Sequence, residues 1–118
     1  MALECHVIEV EGSWIAENIE KGEWPFPTPA EIERMYATPP MARARGVEIA
    51  DRTRRAISEY DPAGLQEMRR GTQMDGTEAE FTVEQILTHI FTHELRHQGQ
   101  LQVMLRLLGK VPPNADWI

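Results

Sequence analysis

Leu3, Val7, Val10 and Trp14 recur at helical spacing and predict a first helix from about Ala2 to Ile19. No Ser, Thr, Asp or Asn precedes it as a cap, as though an earlier part of a longer architecture were absent. From Gly22 to Pro29 the chain cannot continue a helix, because its prolines remove backbone donors and restrict the residues before them. Thr28, Pro29 and Glu31 have the order of cap, first helical position and capping-box acid, and so predict a short helix. A third helix is expected after Pro39 and Pro40, stopping before Pro62. Its buried stripe is Ala42, Gly46, Ile49, Ala50, Thr53, Ala56, Ile57 and Tyr60, mostly small residues that let another helix approach closely. Residues 61–81, with Asp61-Pro62, Gly71 and Asp75-Gly76, read as an irregular crossover with one short helical turn at most.

The last helix has the clearest pattern. Thr82 can cap it with Gln85 as reciprocal partner, Gly109 can end it, and Val83, Ile86, Leu87, Ile90, Leu101, Leu105 and Leu108 share one face. Helices joined by irregular connections, with little strand signal, predict an all-α helical bundle. At 118 residues and 42% hydrophobic content, the chain suits one domain, 1–118, with one core.

Charge and composition narrow the partners. A net charge of −7 argues against nucleic acid, whose binding rests on Lys and Arg replacing counterions. The charge is uneven: residues 1–33 carry eight acids and only Lys21 as a base, while Arg43, Arg45, Arg52, Arg54 and Arg55 crowd the middle. That basic cluster reads as a solvated face, a partner of the acidic first helix, or an anion patch. Cys5 is the single cysteine, so no internal disulfide can form and a reducing, cytoplasmic location is expected. Nothing resembles a signal peptide, and no apolar run approaches the ~18 residues of a membrane span.

Within the last helix, the apolar stripe between Ile90 and Leu101 is occupied by His93, Glu94 and His97. Histidines at i and i+4 project from one helical face, and their imidazoles can converge on an ion about 2.0–2.1 Å from each nitrogen. The alternative is a pair of core histidines satisfied by neighbouring hydrogen bonds. His89 lies too far along the helix, at about 12 Å of rise from His97, to share one ion with both, and reads as structural or as an outer partner. The only other histidine, His6, sits beside the apolar face of the first helix and is the natural third ligand. Three neutral imidazoles leave open positions for water or substrate. Glu9, one turn after His6, and Glu94 are candidates for a carboxylate ligand, an outer partner or a general base; surface or outer positions are the competing reading for each.

His93-Glu94-Leu95-Arg96-His97 also matches H-E-x-x-H, the zinc-peptidase helix pattern. Peptidases of that kind take their third ligand downstream, where this chain has no His or Glu and only Asp116, and Gly99 falls at the wrong offset for the extended pattern. A peptidase is therefore a minor alternative.

The run from Leu87 to Gln100, followed by Leu105-Arg106, Gly109, Pro112-Pro113 and Asp116, resembles the carboxy-terminal region of the DinB-like family. His6 to Trp14 is similar to that family's second helix, where a histidine precedes a tryptophan by about two turns. The resemblance implies an up-down four-helix bundle holding a divalent ion, often zinc or nickel, on three histidines that map onto His6, His93 and His97. It also implies thiol-dependent transferase or isomerase chemistry with a low-molecular-weight thiol as co-substrate. Gln98 departs from the Arg that commonly follows the last histidine. The chain starts where the family's second helix would start, so the usual first helix is missing; the apolar seam this leaves predicts a homodimer.

The resulting expectation is a metal-dependent thiol transferase or hydrolase acting on a small molecule, with the ion generating a nucleophile and Glu94 or Glu9 taking the proton. A non-catalytic metal-binding or ligand-sensing module is the alternative from another class, and a bundle with filler histidines a third. Cys5 reads as a structural residue rather than a nucleophile.

Overall fold

The computed structural model describes residues 3–73 and 75–113; Ala2 and Asp116 lie outside the described residues. Helix α1 spans Leu3–Ser13 and runs on without a break as a π-helical segment, Trp14–Ile19. The first helix thus has the expected extent but a wider second half, closed by a hydrogen bond from the Glu20 N–H to the Ile15 carbonyl at 2.9 Å. Lys21 ends it in the left-handed region, with φ 58°.

The line Leu3, Val7, Val10 and Trp14 is only half-buried. Deeper burial falls on Cys5, Glu9, Gly12 and Ser13, then on Ile15, Ala16 and Ile19. The reason is position: α1 and its continuation pack against both α3 (Pro39–Ser58) and α4 (Val83–Leu107), so a second face is covered, and that face carries small and polar residues. Gly12 permits the closest approach. A Cβ there would stand 2.5 Å from Trp24 Cζ2, so the Trp24 ring of the proline-rich segment lies directly on the helix backbone.

Helix α2, Pro29–Met35, begins with the expected capping box: the Thr28 N–H donates to Glu31 Oε2 at 2.8 Å and Glu31 N–H to Thr28 Oγ1 at 3.4 Å. Helix α3 begins after Thr38, with Pro39 in its first turn, and buries Ile49, Thr53 and Ala56 from the predicted stripe. Helix α4 begins with the Thr82–Gln85 capping box and ends before Gly109, whose φ is 71°.

Residues 61–81 depart from the sequence reading. After a single 3₁₀ turn, Gly64–Gln66, the chain forms an antiparallel hairpin of β1 (Met68–Thr72) and β2 (Glu78–Thr82), with Arg70 opposite Glu80. The molecule is mostly helical with a small two-stranded sheet, rather than all-α. The hairpin is tied to the helices: Arg69 donates to Tyr60 Oη at 3.0 Å, and Tyr60 donates to the Ile19 carbonyl at 3.2 Å.

The core gathers Ile15, Ile19, Ala56, Val83, Ile86, Leu87 and Ile90, with Trp14, Tyr60, Leu65 and Phe81 packed around it. It therefore sits where the π segment, the end of α3 and the start of α4 meet. Beyond Ile90 no described residue of α4 is buried, and the expected face fades: Leu101 and Leu105 are half-buried, while Leu108 is 74% exposed. Among the described residues, no helix is long and apolar enough to cross a membrane.

Candidate metal centre

The histidines lie where α1 and α4 run past the end of this core. His6, His93 and His97 each offer a ring nitrogen, and these atoms lie within 4.8 Å of one another. The ring centroids of His6 stand 5.3 Å from His93 and 5.1 Å from His97, and those of His93 and His97 are 4.4 Å apart. His93 Nε2 and His97 Nε2 approach to 3.1 Å. Two nitrogens bound tetrahedrally to one ion at ordinary zinc distances stand about 3.3 Å apart, so the pair already has the needed spacing.

The tautomer follows from a neighbour. His97 Nδ1 stands 2.6 Å from Gln100 Oε1, an acceptor, so Nδ1 donates there and Nε2 faces the His93 ring. Gln100 is a positioning residue that sequence reading did not single out; its i+3 offset from His97 was the available signal. Protonation is disfavoured at the other rings. Burial, then His97, hold His6 below its ordinary value, and burial, with His97 and His6 close by, pulls His93 down to about 4. Partly buried imidazoles with convergent nitrogens are a donor set that fits a divalent ion.

The two candidate carboxylates are not in this group, which among the described residues holds only the three histidines. Glu9 is fully buried, and both its oxygens are engaged: Oε1 accepts from Tyr36 Oη at 2.6 Å and Arg45 Nε at 2.9 Å, Oε2 from Arg45 Nη2 at 3.2 Å. The arrangement holds Arg45 above its ordinary pKa chiefly through the Glu9 hydrogen bonds, and burial followed by Glu9 raises the Tyr36 phenol. Burial, then the neighbouring Glu11, pushes the Glu94 carboxyl up to about 8. Glu11 in turn accepts from Thr53 Oγ1 at 2.5 Å. A carboxyl raised this far exchanges its proton close to neutral pH.

His89 is outside the group, as its rise along the helix requires. Its ring lies 4.9 Å from Trp14 and 6.1 Å from His93. Cys5 is buried, and burial, then Glu4, raises its thiol pKa, the opposite of an activated nucleophile. Much of the arginine cluster pairs with the acidic first helix: Arg45 with Glu9, and Arg52 with Glu20 at 2.6 Å, while Arg54 pairs with Asp51 of its own helix. Arg45 and Arg52 also flank Trp24, their guanidinium carbons 5.2 and 5.3 Å from its ring.

A family model described as the DinB family matches residues 3–118, essentially the whole chain. No curated protein matches the chain.

Proposed function

The chain belongs to the DinB family, and we propose that it is a divalent-metal protein whose ion, zinc or nickel, is held by His6, His93 and His97. The observation that carries the reading is the meeting of three imidazole nitrogens from α1 and α4 within 4.8 Å. An ion there supplies Lewis-acid chemistry, bringing the pKa of a thiol or water into the neutral range. Three ligands leave room for that molecule. Gln100 keeps the His97 lone pair available, and the α1–α4 packing sets the approach of His6 to its two partners. Glu94, rather than Glu9, is the proton carrier, because Glu9 has no oxygen free of Arg45 and Tyr36.

The reaction is transfer of a low-molecular-weight thiol to a small electrophile, or hydrolysis of one. Gln98, exposed where the family commonly has Arg, favours the second reading of a metal-binding or ligand-sensing module without turnover. Metal analysis of untagged protein tests the site: a stoichiometric ion in the wild type, lost in His93→Ala and His97→Ala, is expected, and a metal-free wild type whose stability zinc does not change overturns it. Incubating the metallated protein with thiols and electrophiles then separates turnover, seen as metal-dependent consumption, from a silent module.

A homodimer is part of this proposal. Supporting it are the exposed apolar side chains along the last turns of α4: Val103 (53% exposed), Met104 (51%), Leu107 (82%) and Leu108 (74%). Light scattering should give twice the chain mass, falling to the monomer in Leu107→Glu; a monomeric wild type contradicts it.

A further inference from the structure

Beside the histidines, on the Trp14 side, lies an open cavity of about 830 Å³ between the hairpin and the first half of α4. Its walls include Trp14, Phe81, Ile86, Thr88, His89 and Thr92, and its lining is more apolar than polar. His89 is the shared wall: its ring stacks at 4.9 Å on Trp14 on one side and stands 6.1 Å from the ring of His93 on the other. A molecule lying along Trp14 and His89 is thus one helical turn from a proposed metal ligand. The volume is that of a small-molecule site, and an indole face beside Phe81 and Ile86 suits a flat apolar group.

The polar groups narrow the ligand further. Among the described lining residues there is no Lys or Arg, and Asp75 is the only one with a permanent charge. An anionic ligand would meet no counter-charge and one repulsion. Thr88 has spent its hydroxyl proton on the Glu84 carbonyl at 2.8 Å, and Thr92 hydrogen-bonds the Thr88 and His89 carbonyls at 3.0 Å, so both hydroxyls offer acceptors. Gln85 uses its carbonyl oxygen to cap Thr82 at 2.9 Å, so it offers the cavity an amide N–H. We propose that this cavity binds a neutral, planar aromatic molecule bearing a hydroxyl or carbonyl group, and that a carbonyl-bearing one, whose carbonyl carbon can accept a nucleophile by addition, is the substrate of the adjacent centre. The substrate role rests on the metal reading; the binding itself does not.

The probe pair is 2-naphthol and 2-naphthalenesulfonate, alike in shape and different in charge, titrated calorimetrically into the full chain. Naphthol should bind saturably and at least about tenfold more tightly than the sulfonate. Thr88→Trp and Thr92→Trp, both at exposed positions on α4, fill the cavity and should each weaken naphthol by about tenfold or more, with zinc binding unchanged. No saturable naphthol binding, sulfonate binding as tight as naphthol, or undiminished naphthol binding in both tryptophan variants overturns the proposal. Zinc titration of the wild type and of His97→Ala, run beside it, separates the two readings: naphthol binding intact in a wild type that takes no zinc removes the metal centre and leaves the aromatic site.

Discussion

The two sides of α1 carry polar clusters of opposite character. Toward α2 and α3, Glu9 is buried with every strong interaction matched: a guanidinium and a phenol donate to a carboxylate that only accepts. Toward α4, three imidazoles bring ring nitrogens within 4.8 Å of one another, and burial beside Glu11 raises the Glu94 carboxyl. A saturated cluster holds elements in register and has no capacity left for a ligand. An unsaturated one, at some cost in stability, keeps its capacity to bind. Burial alone does not separate the two, since Glu9 is the most buried acid described here and is the one that chemistry cannot use.

The largest effect tests the saturated side. Glu9→Ala leaves Arg45 and Tyr36 facing each other without their acceptor and should cost about 3–5 kcal/mol in urea unfolding. Zinc binding at low temperature should be retained. If stability hardly changes, or metal is lost while the fold is kept, the division between the two sides of α1 is wrong. On the other side, His93→Ala and His97→Ala should each weaken zinc binding by at least about 100-fold in a competition titration, with helical content by circular dichroism unchanged.

Smaller changes sharpen the contrast. Gly12→Ala drives a methyl into Trp24 and should destabilise by about 1–3 kcal/mol, an effect that shrinks when Trp24 is also replaced by Ala; additive losses would mean the ring is not the obstacle. Gln100→Ala should weaken zinc by about tenfold with no change in thermal midpoint of the metal-free protein, as expected of a group that only fixes a ring. The least effect is a slope. Because folding raises the Glu94 carboxyl from 4.5 to about 8, the folded state binds its proton more tightly than the unfolded chain. That contribution to stability is whole below the unfolded pKa and is lost as pH rises through 8. Metal-free wild type should therefore lose stability between pH 5 and 8 more steeply than Glu94→Gln, and parallel profiles would mean that folding does not raise the Glu94 carboxyl.

What could be read from the sequence follows from how local each signal is. The capping boxes at Thr28 and Thr82, the prolines opening α2 and α3, and the i, i+4 histidines are contained within a few residues, and they are where the sequence places them. His6 could be read because no other histidine remained. The hairpin was illegible because its inward positions in β1 are Arg69 and Gly71, not apolar residues; only Ala79 and Phe81 alternate as a strand should, and Asp75-Gly76 marked the turn without announcing the strands beside it. The role of Glu9 depends on Tyr36 and Arg45, 27 and 36 residues away, which no periodicity relates to it. The widening of the helix at Trp14–Ile19 likewise has no mark in its own residues, and it carries the ring that walls the aromatic cavity.

His6 belongs to the opening helix and its two companions to the closing one, so an ion seated among them would act as a clasp between opposite ends of the chain. Nearly the whole intervening polypeptide would become a closed loop, a constraint of the kind that restricts the unfolded ensemble more than the folded one. Chelation should then loosen the turns around His6 first, exposing them to endopeptidases while the α3–hairpin region stays protected.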